Sequence, residues 1–359
     1  MNSTAGGTGS VRGPGATGDP AGASAGGQSM GQEQTSTQGA RRAAVSGRGA
    51  GTDSAEFLVE HDTEYTYSTQ VAFAQHLAHL TPLVAAGQGV RDFEMTIDPP
   101  PAIRHGGTDT YGNERTYFAI SVAHEGLRVQ TRSRVRLQPR FAHIDPHGSP
   151  PWESVRDALR YVAGAPLVAA AEFVFSSAFV PYDTALRDYA LLSFPPGRTL
   201  LAGALDLMHR IHADFRYDAN STDVATPVQE AFAARAGVCQ DFTHVMIGGL
   251  RALGLPARYV SGYLFTQARF APARPGAPDA TPAAPPVIGA DASHAWVSVY
   301  CPKYGWVDLD PTNDAVPGTG HVRLATGRDY GDVAPLRGVV QGGGEHHLRV
   351  AVRLTAIAA

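Results

Sequence analysis

Cysteine is almost missing from this sequence: Cys239 and Cys301 are the only 2 among 359 residues. Two thiols cannot build a disulfide framework, and their separation matches no paired metal-ligand spacing such as CxxC. A single bridge between them is the most they allow, and a reducing compartment is the simpler expectation. Charge of one sign is also scarce. With 29 basic against 33 acidic side chains the formal net charge is −4, which gives no basis for nucleic acid or an anionic membrane as partner. Nor does any apolar run approach the roughly 20 residues of a membrane helix. The N-terminus lacks the hydrophobic stretch of a secretory signal. Arg41-Arg42 hints at twin-arginine export, but the segment from Ala43 to Gly49 is too polar to follow it. A cytoplasmic protein is the expectation.

What is present is a hydrophobic fraction of 43% and enough chain for two ordinary domains. Residues 1–55 are an exception, because Gly, Ser, Thr, Ala and Gln dominate there and the first aromatic is Phe57. Such a tail buries too little apolar surface to offset the entropy of ordering it, and disorder is expected. From 56 to 140 the pattern has period two. Leu127, Val129, Thr131, Ser133, Val135 and Leu137 alternate with Arg128, Gln130, Arg132, Arg134 and Arg136, which predicts an antiparallel β domain. Helical spacing takes over in a connector over 141–198, where Trp152 to Val162 and Asp183 to Leu192 read as helices. The remainder, 199–359, reads as an α+β core with C-terminal strands. Within it, helices are expected from Thr199 to about His212, around Val228 to Ala234, and from Cys239 to Leu253, ended by Gly254. Strands are expected at 257–265, 292–300, 305–310 and 348–357. Residues 271–286, rich in Ala and Pro, suggest a loop that gates a cleft.

A nucleophilic thiol needs a proton acceptor and a group that orients that acceptor. Cys239 falls in the first turn of an expected helix, where unpaired amides and the helix dipole favour negative charge. The same amides suit an oxyanion. His294 opens a strand in which His294, Trp296, Ser298 and Tyr300 share one face, while Cys301 points to the other. The neighbouring strand ends in Asp308-Leu309-Asp310, and alternation alone leaves both aspartates open as the partner of His294. Taken singly, each residue also has a plain structural reading: Cys239 as a small hydrophobe, His294 as a satisfied strand residue, and Asp310 as a turn former. His61 and Asn113 read as a buried hydrogen bond and a turn residue, and Trp296 and Trp306 as core aromatics. His346-His347 lacks further metal ligands nearby.

Four segments, Gly237-Val238-Cys239-Gln240-Asp241-Phe242, Pro256 to Tyr263, His294-Ala295-Trp296 and Gly305 to Asn313, resemble the core of bacterial transglutaminase-like proteins. His61 to Tyr67, Asp109 to Asn113 and Gly327 to Pro335 are similar to the flanking parts of the same family. The resemblance implies an N-terminal antiparallel β domain followed by a papain-like, transglutaminase-like α+β core. It also implies a triad of Cys239, His294 and Asp310, and so selects Asp310 over Asp308. Cys239 is followed by Gln240 where animal enzymes carry Trp, and no calcium-loop signature is present. Tyr217, Gln240, Tyr263 and Trp296 are the candidates for oxyanion or cleft roles. The expected activity is acyl transfer or hydrolysis at amide bonds of a peptide or protein, with neither metal nor organic cofactor required. A cysteine peptidase or amidase without transamidation is the alternative enzyme reading, and a non-catalytic peptide-binding scaffold is the alternative of another class.

Overall fold

Alternation of apolar and charged side chains shapes the first sheet of the computed structural model, which describes residues 54–160, 162–164, 166, 168–265 and 293–357. The 271–286 loop lies outside the described residues, as does the N-terminal tail apart from its last two positions. The sheet is antiparallel and contains β1 (Ala55–Ala78), β2 (Gln88–Asp98), β3 (Ile103–Thr108), β4 (Glu114–Ile120) and β5 (His124–Leu137). In β5 the apolar set from Leu127 to Leu137 is buried, and every arginine between them is exposed. The strand is half-wet, as its sequence dictates.

β1 is twice as long as its sequence pattern suggests, because it serves two pairs of neighbours. Over residues 55–66 it lies between β5 and a C-terminal strand, β13 (His346–Ile357). Beyond Thr66 the register shifts, and residues 71–78 pair instead with β4 and with β12 (Leu336–Gly342). The C-terminal strands thus complete the N-terminal sheet.

The helical part begins with α1 (Trp152–Ala158) and α2 (Thr184–Leu191), followed by α3 (Leu200–Asp214) and α4 (Val228–Ala234). At its centre stands α5 (Cys239–Ala252), buried on nearly every side. Gly248 and Gly249 give it close approach to α2, since a Cβ at either would press on Leu186 or Ala190. Against α5 lies a second antiparallel sheet in the order β10 (Gly305–Leu309), β9 (His294–Cys301), β8 (Ala257–Leu264) and β11 (His321–Gly327). A short helix, α6 (Tyr330–Val333), closes the element order before β12.

One hydrophobic core joins the lobes: Phe57, Val59 and Val135 of the first sheet pack with Phe242, Met246, Tyr259 and Val297 of the second part. Polar bridges add direction to this contact. Asn113, fully buried, grips the β11 backbone twice, its Nδ2 donating to the Thr326 carbonyl and its Oδ1 accepting the Thr326 amide, both at 2.8 Å. A side-chain amide here satisfies strand groups as a neighbouring strand would. The architecture is α+β, with an antiparallel sheet ahead of a helix-and-sheet core. Among the described residues no helix is long and apolar enough to cross a membrane.

Candidate active site

Two short parallel strands set the start of α5. β6 (Arg216–Tyr217) pairs with β7 (Ala236–Gly237), which places Tyr217 opposite Gly237, just ahead of the cysteine. Val238 is extended, and the helix begins at Cys239. The carboxylate of Asp241 folds back to accept the Val238 amide at 2.8 Å and the Thr222 hydroxyl at 2.7 Å. Gly237 is required beside it, since a Cβ there would collide with that carboxylate. Burial pushes the Asp241 carboxyl above its ordinary value, and the two hydrogen bonds oppose the shift. The Cys239 thiol is half-buried and unpaired, as is the fully buried thiol of Cys301. First-turn amides of a helix have no intrahelical acceptor, so this geometry presents donors beside the sulfur.

β9 and β10 deliver the other two side chains. His294 Nε2 donates to Asp310 Oδ2 at 2.8 Å, and both side chains are completely buried. The aspartate is also the turn former that its Pro-Thr neighbours suggest. Its Oδ1 accepts the Thr312 amide at 3.0 Å and the Asn313 amide at 3.2 Å, which locks the carboxylate's orientation. Burial alone would disfavour an imidazolium at His294. The charge and hydrogen bond of Asp310 outweigh it, with the Cys239 thiol adding to them, and the ring is held up at about 10. Burial likewise works against the Asp310 charge, but the two imidazoles of His294 and His321 win and hold its carboxyl far below the usual range. Nδ1 of His294 is buried and makes no completed hydrogen bond among the described residues. The Cys239 thiol lies near enough to the ring to raise its proton affinity.

The sequence candidates therefore divide. Cys239, His294 and Asp310, far apart in the chain, come together, while Asp308 turns toward Arg323 at 3.7 Å. Tyr217 is partly exposed, and its hydroxyl is held above its ordinary value by burial and by the nearby Cys239. Gln240 turns its side chain to the Val224 carbonyl, Nε2 donating at 3.1 Å and fastening the 218–226 loop. Trp296 is fully buried as a wall between two imidazoles, with ring centroids 6.0 Å from His294 and 5.3 Å from His321. Tyr263, expected at the cleft, instead lies buried and bonds His61 across the lobes at 2.8 Å. Burial lowers His61 to about 4, and the neutral ring passes the chain on from Nε2 to Thr63 at 2.6 Å.

Two neighbours of the carboxylate were not assigned roles by the sequence. Asn313 Nδ2 donates to Asp310 Oδ2 at 2.9 Å. His321 Nε2 reaches the same oxygen at 3.4 Å, with 11% of its side chain exposed. A histidine opening the strand after the Asp-Pro-Thr-Asn turn is the signal for it, but nothing local announces which face that strand turns inward. His321→Leu is expected to lower kcat about tenfold, the value of one long charge-assisted hydrogen bond, with His321→Gln closer to wild type. Steady-state rates of the two variants check this, and equal rates in Leu and wild type would remove His321 from the site. Among the described residues, no cluster of His, Cys, Asp or Glu is arranged to hold a metal ion.

Comparison with known proteins matches residues 196–311 to the transglutaminase-like superfamily. Residues 57–136 match the bacterial transglutaminase-like N-terminal region. An uncharacterized protein of Mycobacterium tuberculosis is 39% identical over 290 residues, covering 79% of this chain and 87% of its own length. A protein-glutamine gamma-glutamyltransferase of Pseudomonas aeruginosa is 24% identical over 205 residues, covering 57% of this chain and 24% of its own. Among solved structures, a candidate cysteine protease from Cytophaga hutchinsonii superposes with a TM-score of 0.63 at 21% identity, covering 86% of this chain and 92% of its own. That likeness shows a shared papain-like fold.

Proposed function

The chain belongs to the transglutaminase-like superfamily, in its bacterial branch, and on that premise we propose that it is a thiol-dependent acyltransferase acting on amide bonds of peptides or proteins. Family and fold support the general class, thiol chemistry at an amide. The observation that carries the finer reading is His294, held through Nε2 by Asp310 and close enough to Cys239 for the thiol to act on its ring.

The chemistry follows from that order. His294 takes the thiol proton through Nδ1, and Asp310 stabilises the imidazolium that results. The thiolate attacks the amide carbonyl, and amides at the start of α5, with the Tyr217 hydroxyl opposite them, receive the developing oxyanion. His294 then gives its proton to the leaving amine, and a thioester remains on Cys239. Water or a second amine resolves it. The reaction itself requires no organic cofactor or metal.

The name of the Pseudomonas relative favours a glutamine side chain as acyl donor and an amine as acceptor. A glutamine peptide supplied with a labelled primary amine is expected to take up the label and release ammonia. A new peptide N-terminus without label uptake would instead assign a peptidase. If neither product forms and iodoacetamide alkylates Cys239 no faster than a model thiol, the cleft is a binding scaffold and the proposal fails.

A further inference from the structure

Away from the His294 end of the second sheet lies a charged cluster that the proposed chemistry does not use. Arg258 on β8, Ser298 on β9 and Asp308 on β10 are direct cross-strand partners, so their side chains project on one side. Arg323 of β11 brings its guanidinium to 3.7 Å from Asp308 Oδ2 and donates to the Ala86 carbonyl at 3.1 Å. Arg140, on the segment that leaves the first sheet, donates to the Trp306 carbonyl at 3.2 Å. The Arg258 guanidinium lies 4.2 Å over the Trp306 ring.

Three guanidiniums therefore meet one carboxylate. Among the described residues, Asp308 is the only negative group acting on Arg258 and Arg140, and the arginines oppose one another. Asp308 and Arg323 keep only 2% and 8% of their side chains exposed. Arg140 and Arg258, partly buried beside them, leave the cluster with more positive than negative charge, which favours an anion. The hydrogen-bond account is also open. Arg140 Nη1, Arg258 Nε and Ser298 Oγ are buried without partners, as is the acceptor Asp308 Oδ1, whereas buried polar atoms are normally satisfied. Three donors and one acceptor match the faces of a protonated oxyanion, whose oxygens accept and whose hydroxyl donates. Sulfate can fill the first part of that set and not the second. Arg140, at the edge of the cluster, also lines a solvent-open cavity of about 320 Å³ with Phe141, His143, Ile144 and Tyr304.

We propose that Arg140, Arg258, Arg323, Ser298 and Asp308 form a binding site for inorganic phosphate, tying the first sheet's exit segment to the second sheet. Burial of all four unpartnered atoms suits the free ion rather than the end of an ester.

The test titrates the full chain with phosphate, sulfate or chloride at matched ionic strength, following 31P line broadening and the thermal midpoint. Phosphate is expected to give saturable broadening and a saturable rise in midpoint, with sulfate weaker. Arg140→Gln should weaken phosphate binding about tenfold, the effect of one lost charge-assisted contact. Asp308→Asn should bring sulfate toward phosphate by removing the charge that repels it. General salting effects raise the midpoint linearly and equally in all variants. That pattern, without phosphate line broadening, would mean that water alone fills the cluster and would overturn the site.

Discussion

Cys239→Ala is expected to reduce amine incorporation and ammonia release to background, a loss on the order of 10⁴-fold or more, while the thermal midpoint stays within about 3 °C of wild type. The asymmetry follows from where the sulfur sits. It is half-buried at the first position of α5, so removing it opens little cavity, and alanine is an excellent helix former. Asp241, which closes the turn before the helix, keeps both its partners in the variant. Steady-state assay and thermal melts on the same preparation measure the two effects together. Activity surviving in the alanine variant would end the thiol mechanism, and a collapsed midpoint would instead assign Cys239 to the core.

Asp310→Asn is expected to be the second most damaging change, lowering kcat by about 10³- to 10⁴-fold and reshaping the pH dependence. Asp310 is what holds His294 up at about 10 against burial, which alone pushes the ring down. In wild type the imidazolium formed by taking the thiol proton therefore persists through neutral pH, and the alkaline limb of the rate profile, where the ring loses that proton, falls near 10. Asparagine removes the charge and leaves burial in control. The ring then drops below its ordinary 6.5, and the residual activity loses its alkaline limb near 10.

Stability follows the same sign. A raised histidine contributes fully below 6.5, and the contribution is lost as pH climbs through about 10. The depressed Asp310 contributes above its usual 3.8 and loses that contribution only under strong acid. Wild type should thus lose more of its thermal midpoint between pH 6.5 and 10 than Asp310→Asn does, as melts across that range would show. Parallel curves would mean that the carboxylate does not govern the imidazole.

Local rules carried much of this fold. The β5 alternation, the α4 span and the Cys239 helix with its Gly254 stop all lie within a residue or two of their sequence expectations. The adjacency of β9 and β10 was also legible, because a short Pro-Lys-Tyr-Gly turn joins them. Partners set by tertiary contact were not. Tyr263 sits on a strand beside the Cys239 helix, yet its hydroxyl is directed by His61, 202 positions away. β11 and β12 have mixed composition and no clean alternation, and register shifts in both their pairings erase the parity that would have placed His321 beside Asp310. Asp308 and Asp310 share a parity, and the choice between them comes from the Asx turn and the arginines, not from period-two spacing.

The long first strand has a consequence for how the molecule comes into being. Its inner residues Phe57 and Val59 belong to the core that also packs α5 and Cys239, yet one of its flanks is supplied by the strand that ends at Ile357. A growing polypeptide emerging from the ribosome therefore holds that edge open until the residues of β13 have been made. The sheet behind the thiol thus closes only after α5 and the second sheet have already been synthesised.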